Sequence, residues 1–280
     1  MTLPFHIDLS GKTAVVTGAT GVLCADFARA LHACGANVAL LGRDEMRGRA
    51  LESELSAKGG RAKFYPSDVL DAGEMKGVAA LVGADFGPCD ILVNGAGGNS
   101  PKATTDKEYY DVGDIDADTK SFFDLDLRGV RDVFDLNFLG TLIPTQCFAR
   151  KMGAGAVIVN VSSMNAFTPL TKIPAYSGAK AAVSNFTQWL AVHFSRAGIR
   201  VNAIAPGFFI TNQNRAMMFD DSGKPSARAE KILAGTPIGR FGEPNELIGA
   251  LLFLVSNEAS GFVTGVVLPV DGGFSAYSGV

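Results

Sequence analysis

The amino-acid sequence predicts a doubly wound α/β fold, in which helices cover both faces of one parallel sheet. Two observations lead to this fold class. Short apolar runs, rich in β-branched residues, alternate along the chain with longer segments of helical periodicity. The short runs are apolar at nearly every position, which is typical of strands that are buried on both faces. Strands joined by intervening helices run parallel through right-handed crossovers, so the alternation predicts a parallel sheet.

The predicted strands are the short apolar runs, of which the first has the sequence TAVVT. Their length and their β-branched content are typical of buried strands. In chain order the strands are Thr13–Thr17, Asn37–Leu41, Ala62–Tyr65, Asp90–Asn94, Ala156–Val161 and Arg200–Ile204.

The predicted helices are the segments that separate these strands. In the first of them, Phe27, Ala30, Leu31 and Cys34 have the spacing that places side chains on one helix face. In chain order the helices are Asp26–Cys34, Glu45–Lys58, Ala72–Asp85, Asp132–Met152 and Ala175–Ala197.

The length of the chain, 280 residues, fits one large domain. A content of 47% hydrophobic and 19% charged residues is sufficient for a large core, and α/β folds of this size occur as one unit. We expect a single domain over 1–280 that carries an acidic insertion at 98–126 and a substrate loop at 207–235. Long loops in a compact domain are usually lids or binding loops, and the alternative for each is a solvated insertion.

The composition excludes several classes of function. The formal net charge is -3, so there is no basic field that would attract nucleic acid. No signal peptide is recognisable, and no apolar run reaches the ~18 residues of a membrane span. We therefore expect a cytoplasmic protein without a membrane partner. The four cysteines form no Cys-x-x-Cys pair and have no histidine at ligand spacing, which argues against a metal site.

Glycines follow the first predicted strand, which runs into the sequence TGATGVLC at 17–24. Gly18 and Gly21 would let the backbone approach a pyrophosphate, whose charge is stabilised at the N-terminus of the next helix. Because the carboxyl ends of parallel strands share one edge of the sheet, small and polar residues after the other strands predict a ligand crevice there. These residues are Gly42–Asp44, Ser67–Val69, Asn94–Gly97, Ser162–Ser163 and Pro206–Gly207.

The sequence YSGAK at 176–180 points most directly to chemistry. Tyr176 and Lys180 are four residues apart, so a helix places both side chains on one face. A free tyrosine has a pKa near 10, and a nearby ammonium group favours the phenolate and lowers that value. Ser163 follows a predicted strand and could donate a hydrogen bond to a substrate oxygen. This set of residues predicts general acid–base catalysis.

With these motifs in this order, the chain resembles the short-chain dehydrogenase/reductase family over nearly its whole length. The resemblance implies a Rossmann-type fold, a nicotinamide dinucleotide, hydride transfer and a homotetramer. It also implies that Tyr176 is the general acid/base, that Lys180 binds the nicotinamide ribose, that Ser163 orients the carbonyl and that Asn137 supports a water relay. The matching segments are 17–24, Asp68-Val69, NGAG at 94–97, LNFLG around Asn137, Ser163, YSGAK at 176–180, PGFFIT at 206–211 and VDGG at 270–273.

The resemblance further implies which residues contact the cofactor. Val22 and Cys24 stand where the common motif has its later glycines. Gly42 stands where NAD enzymes have an acidic residue, and Arg43 follows, as an arginine does in many NADP enzymes. We therefore expect NADP, with NAD as the alternative if Asp44 binds the ribose. The implied cofactor contacts are Gly18, Thr20, Gly21, Val22, Leu23, Arg43, Asp68, Val69, Asn94, Ala96, Gly97, Tyr176, Lys180, Pro206, Gly207, Phe209 and Thr211.

Within the family, the segments GNSPKATT, SSMNAF, PLTKIPAYS and PGFFITNQNR resemble members that act on sugar acids of the D-mannonate and D-fructuronate type. Such a substrate requires polar hydrogen-bonding groups and a cation for its carboxylate. Ser163, Asn165, Asn214 and Arg215 are the candidates. The alternatives are the same chemistry on gluconate or on a 3-oxoacyl thioester, and a dinucleotide-binding sensor without turnover.

Overall fold

The computed structural model describes residues 6–211, 215–220 and 222–279 and has a seven-stranded parallel sheet at its centre. The strand order is β3-β2-β1-β4-β5-β6-β7, so the chain reverses its direction of winding between β1 and β4. This arrangement confirms the predicted Rossmann-type doubly wound fold. The strands are β1 Thr13–Thr17, β2 Asn37–Gly42, β3 Ala62–Pro66, β4 Ile91–Asn94, β5 Val157–Val161, β6 Arg200–Pro206 and β7 Val267–Val270.

Helices connect the strands and cover both faces of the sheet. The α-helices are α1 Val22–Ala33, α2 Glu45–Ala57, α3 Ala72–Phe86, α4 Leu127–Phe134, α5 Gly140–Phe148, α6 Pro174–Phe194, α7 Arg215–Met218, α8 Ala227–Ala234, α9 Ile248–Val255 and α10 Asn257–Ser260. A π-helical turn at Asp135–Leu139 joins α4 to α5. Short 3-10 turns occur at Pro101–Ala103, Val112–Asp116, Phe122–Asp124, Ala149–Lys151, Met164–Ala166, Ser195–Ala197, Pro244–Leu247 and Phe274–Ala276. Within the described part of the chain, no helix is long and apolar enough to cross a membrane.

The core has two layers because successive residues of a strand point to opposite faces of the sheet. Val16 is completely buried in the layer beneath α1, α2 and α9, which also contains Phe27 and Leu251. Its neighbour Val15 is completely buried in the layer beneath α3, α5 and α6, together with Met75. Burial on both faces explains why the strands are apolar at nearly every position.

The six predicted strands are confirmed to within two residues at each end. The seventh strand, β7, was not predicted. It contains Pro269, which has no N–H to donate to a neighbouring strand. Proline is tolerated at this position because β7 lies at the edge of the sheet. The predicted start of α1 at Asp26 was also wrong. The helix begins at Val22, directly after Gly21 in extended conformation.

The single helix predicted at Asp132–Met152 was wrong as well. Helix α4 begins five residues earlier, at Leu127, because the carboxylate of Asp126 accepts a hydrogen bond from the backbone of Arg128 at 2.8 Å and caps it. The π-helical turn then interrupts the helix before α5. The interruption determines where the side chain of Asn137 lies.

Candidate active site

The carboxyl ends of β1, β2, β3 and β4 border a cleft of about 440 Å³. This is the edge of the sheet at which the sequence predicts a dinucleotide. Ten of the predicted cofactor contacts line the cleft, namely Gly18, Thr20, Gly21, Val22, Leu23, Arg43, Asp68, Val69, Ala96 and Gly97. Four further lining residues belong to the predicted ligand crevice, namely Gly42, Asp44, Ser67 and Gly95, whereas Cys24, Arg47 and Leu136 were not predicted to contact the cofactor.

The floor of the cleft is backbone that leaves no room for side chains. Gly18 has a φ of 65°, and a Cβ there would lie 2.9 Å from the backbone nitrogen of Ala96. A Cβ on Gly95 would collide with the sulfur of Cys24. The thiol of Cys24 thus fills space beside a neighbouring glycine, and its burial raises its pKa to about 12. A floor of this kind fits the close approach of a pyrophosphate at the start of α1.

Two arginines lie at the end of the cleft next to β2. Arg43 Nη1 is 3.8 Å from the carboxylate of Asp68, and Arg47 Nε is 3.4 Å from that of Asp44. The carboxylate of Asp44 also accepts a hydrogen bond from the backbone nitrogen of Arg47 at 3.0 Å and so caps α2. A Cβ at Gly42 would lie 3.0 Å from the hydroxyl oxygen of Thr20. An acidic side chain at position 42 would therefore require Thr20 to move.

Helix α6 carries Tyr176 and Lys180 in its first two turns and begins with Pro174, whose fixed φ suits a first helical position. Lys180 is only 4% exposed. Its Nζ donates a hydrogen bond to the carbonyl oxygen of Val161 at 2.7 Å and lies 5.7 Å from the centre of the Tyr176 ring. The helix thus brings the ammonium group to the end of β5, beside the tyrosine.

Ser163 is buried two residues beyond the end of β5 and caps a 3-10 turn, where its hydroxyl accepts a hydrogen bond from the backbone of Asn165 at 3.3 Å. Burial raises the pKa of Tyr176, and a hydrogen bond with Ser163 opposes that shift. The pKa of Tyr176 is thus raised, contrary to the lowering expected from Lys180, whose ammonium group donates to the Val161 carbonyl. Burial lowers the pKa of Lys180 itself to about 8.

Asn137 lies in the π-helical turn and is completely buried. Its Nδ2 donates to the carbonyl oxygens of Gly98 and Val133, both at 2.7 Å, and its Oδ1 accepts from the nitrogen of Gly98 at 3.2 Å. A Cβ on Gly97 would lie 2.7 Å from this Oδ1 and 3.2 Å from the Nζ of Lys180. Asn137 and Lys180 therefore both lie next to Gly97, three residues beyond the end of β4.

Several predicted cofactor contacts lie away from the cleft. Asn94 is buried, and its Nδ2 donates to Thr145 and to Asn160 at 2.9 Å each, so its amide holds β4 to its neighbours. A Cβ on Gly207 would lie 2.6 Å from the Cα of Asp271. Phe209 lines a separate cavity of about 200 Å³. Pro206 ends β6, and Thr211 is half-buried beyond it.

The predicted substrate contacts are dispersed. Asn165 follows Ser163 closely and is 4% exposed, and its Oδ1 has no hydrogen-bond partner among the described residues. Arg215 begins α7, is exposed, and has its guanidinium carbon 5.5 Å from the centre of the Phe219 ring. Asn214 lies outside the described residues.

The acidic insertion and the loop beyond β6 are joined by an ion pair. The Nζ of Lys231 in α8 lies 2.9 and 3.0 Å from the two carboxylate oxygens of Glu108. The backbone nitrogen of Thr105 donates to the carbonyl oxygen of Lys172 at 2.9 Å, so the insertion also contacts the segment that leads into α6. Both long loops are thus connected to each other, and one of them is connected to the segment that precedes Tyr176.

Comparison with known proteins shows similarity over the whole chain. A family model described as enoyl-(acyl carrier protein) reductase matches residues 18–275. An uncharacterized oxidoreductase of Haemophilus influenzae is 57% identical over an alignment of 282 positions, which covers 100% of this chain and 99% of the relative. The gluconate 5-dehydrogenase of Gluconobacter oxydans is 33% identical over 275 residues, which are 98% of this chain and 99% of that enzyme.

A solved structure is equally similar. It is a crystal structure, with bound NAD, of a protein from Haemophilus influenzae assigned provisionally as a D-mannonate oxidoreductase. That protein is 57% identical to this chain, the match covers 100% of both chains, and the TM-score is 0.95.

Proposed function

This chain belongs to the short-chain dehydrogenase/reductase family, and from that premise we propose that it interconverts the keto and hydroxy forms of a sugar acid of the D-mannonate and D-fructuronate type. The observation that carries this substrate class is the buried Oδ1 of Asn165, which has no hydrogen-bond partner among the described residues. A buried acceptor without a partner is costly, and a substrate hydroxyl group would satisfy it. The provisional assignment of the 57% identical Haemophilus protein supports the same class.

The reaction requires a hydride to be exchanged at the carbon atom, and a proton at the oxygen atom, of one carbon–oxygen bond. The cleft would hold a nicotinamide dinucleotide, which would supply or accept the hydride at the substrate carbon. Tyr176 exchanges the proton with the substrate oxygen, and the hydroxyl of Ser163 donates a hydrogen bond to that same oxygen. The pKa of Tyr176 supports these roles, because the neighbouring Ser163 hydroxyl lowers it against the effect of burial.

Lys180 would replace the proton that Tyr176 gives up, through a water relay that Asn137 supports. With a pKa lowered to about 8, Lys180 can release and regain a proton near neutral pH. Asn137 would hold the segment that follows β4 in place through its hydrogen bonds to Gly98. Lys180 would bind the nicotinamide ribose, and the glycine floor would accommodate the pyrophosphate.

For the choice of cofactor we propose NADP. The support comes from the charged side chains next to β2. Arg43 and Arg47 line the cleft beside β2, and the carboxylate of Asp44 is already engaged as the cap of α2. Two guanidinium groups suit a 2′-phosphate, whereas a 2′-hydroxyl group requires a free acceptor. The second candidate is NAD, which is favoured by its presence in the similar Haemophilus structure.

A panel of substrates tests the proposal. The purified protein is mixed with D-mannonate, gluconate, a 3-oxoacyl thioester or a neutral secondary alcohol, each with NAD or NADP in the appropriate redox state, and nicotinamide absorbance is followed. We expect the highest kcat/KM with D-mannonate or its keto form. A higher value with gluconate would favour the chemistry of the Gluconobacter relative, and binding of the dinucleotide without turnover of any substrate would indicate a sensor.

For the assembly we propose a homotetramer. Exposed apolar side chains on α4 and α6, which pack against each other, support a first interface; these include Leu127, Phe134, Trp189 and Val192. Phe262, fully exposed beyond α10, supports a second one. A tetramer with dihedral symmetry requires two different interfaces, and these exposed side chains are our candidates for them. Light scattering of the wild type and of Val192→Asp tests this: we expect a tetramer that the substitution dissociates.

A further inference from the structure

A second cavity, of about 250 Å³, lies between the acidic insertion and the segment that precedes α6. We call it the rim cavity. The insertion contributes Lys107, Lys120 and Ser121 to its walls, and the segment before α6 contributes Thr171, Lys172 and Pro174. None of its lining residues lines the dinucleotide cleft.

Lys172 is held in an unusual backbone conformation at this cavity. Its φ is 72°, which makes it the one non-glycine residue with positive φ in the described ranges. A lysine rarely adopts this left-handed conformation, so its surroundings must stabilise it. The hydrogen bond from the nitrogen of Thr105 to the Lys172 carbonyl, at 2.9 Å, is one such contact. The conformation fixes the position of a lysine side chain on the cavity wall.

The rim cavity is lined by more lysines than carboxylates. Its two carboxylates are already paired, Asp114 with Lys107 and Glu108 with Lys231. In the part of the chain that the structure describes, the ammonium groups of Lys120 and Lys172 have no carboxylate within ion-pairing distance, and that of Lys120 donates one hydrogen bond to the carbonyl oxygen of Pro101. Both side chains are half-buried, so water screens their charges less than it would on an open surface. The cavity therefore holds two uncompensated positive charges within an otherwise acidic segment.

We propose that the rim cavity is a second binding site, for a small anion that carries a phosphate or carboxylate group. Its volume lies below that of sites for drug-sized ligands, which limits the ligand to a small molecule. Lys120 and Lys172 would bind the anionic oxygens, and the hydroxyl groups of Thr119 and Thr171 at the wall would bind further oxygens of the ligand. The site is independent of the sugar-acid substrate proposed for the active site.

The test measures binding to the protein loaded with saturating NADP, so that the pyrophosphate site is occupied. Inorganic phosphate and acetate, neither of which is a sugar acid, are titrated separately by calorimetry, which distinguishes the two sources of anionic oxygen. Lys172→Asn removes the charge, and asparagine tolerates the left-handed conformation. Lys120→Gln removes the second charge. Lys102→Gln is the matched control, because Lys102 belongs to the same insertion but does not line the cavity.

We expect saturable binding of at least one anion, with its Kd raised roughly tenfold by Lys172→Asn or by Lys120→Gln. Lys102→Gln should leave the Kd within about twofold, as expected for an exposed charge. Lys172→Arg, which keeps the charge, should retain most of the affinity. Equal weakening by the control, unchanged binding in both cavity variants, or no saturable binding of either anion would overturn the proposal.

Discussion

The pair of arginines beside β2 gives a quantitative prediction for cofactor choice. Replacing Arg43 with alanine removes a guanidinium group from the wall of the dinucleotide cleft. A hydrogen bond to a charged group contributes about 1.5–3 kcal/mol. Because the Arg43 side chain is 70% exposed, solvent screening reduces this to about 1–1.5 kcal/mol, which corresponds to a five- to tenfold increase in the Kd of NADP.

The second arginine should act in the same way, because Arg47 lines the same wall. The double variant Arg43→Ala/Arg47→Ala should weaken NADP binding more than either single variant does, by about 25- to 100-fold if the two effects are independent; a departure from that product would indicate that both groups bind one phosphate. The Kd of NAD should stay within about twofold, since NAD lacks the phosphate.

The assay is a fluorescence titration of each variant with NADP and with NAD. Arg49→Ala is the control, because Arg49 lies on α2 near Arg47 but pairs with Glu52 and does not line the cleft. If Arg43→Ala weakened both dinucleotides equally, or if Arg49→Ala had the same effect, the arginines would contribute only general charge. The preference would then be for NAD.

Three further predictions concern the active site. Tyr176→Phe should lower kcat by roughly 10²–10⁴-fold because it removes the exchanged proton, while the Kd of the dinucleotide is retained; a variant with most of its turnover would refute the proposed role. The Kd of the dinucleotide should rise as the pH passes above about 8, where Lys180 loses the positive charge that binds the ribose, and Lys180→Met should abolish this dependence; a wild-type profile that is flat between pH 7 and pH 9 would contradict it. Arg215→Ala should raise KM roughly ten- to hundredfold for a hexuronate or its reduced acid and leave KM of a neutral ketone unchanged in steady-state kinetics; equal effects on both would mean that Arg215 only supports the loop.

The strands were predictable because burial on both faces imposes a composition that is visible in any one of them. The same holds for the glycine floor, where Gly18 has to adopt a positive φ close to the backbone of Ala96. The edge strand β7 has less of this signal, since its residues are only partly buried and one of them is Pro269. Sequence composition therefore reports burial more reliably than it reports strand pairing.

The residues that the sequence did not identify depend on packing between distant segments. Arg47 lines the cleft because α2 starts at the cap formed by Asp44. Only its separation of four residues from Arg43 could have suggested that both arginines face the cleft. Asn94 has a motif position typical of a ligand contact, but its amide binds side chains of α5 and β5 instead. A motif records which residue types recur, whereas the direction of each side chain depends on its neighbours in the fold.

The π-helical turn at Asp135–Leu139 implies a sensitivity to chain length that substitutions would not reveal. A π-helical turn contains one residue more than the α-helical turn it replaces. Deleting one residue from this turn would let α4 and α5 merge into one regular helix. Because each residue of an α-helix turns the chain by about 100°, the side chains on one side of the deletion would rotate by that angle relative to the other. Asn137 would then point away from Gly98, although every side chain proposed for the chemistry would still be present in the chain.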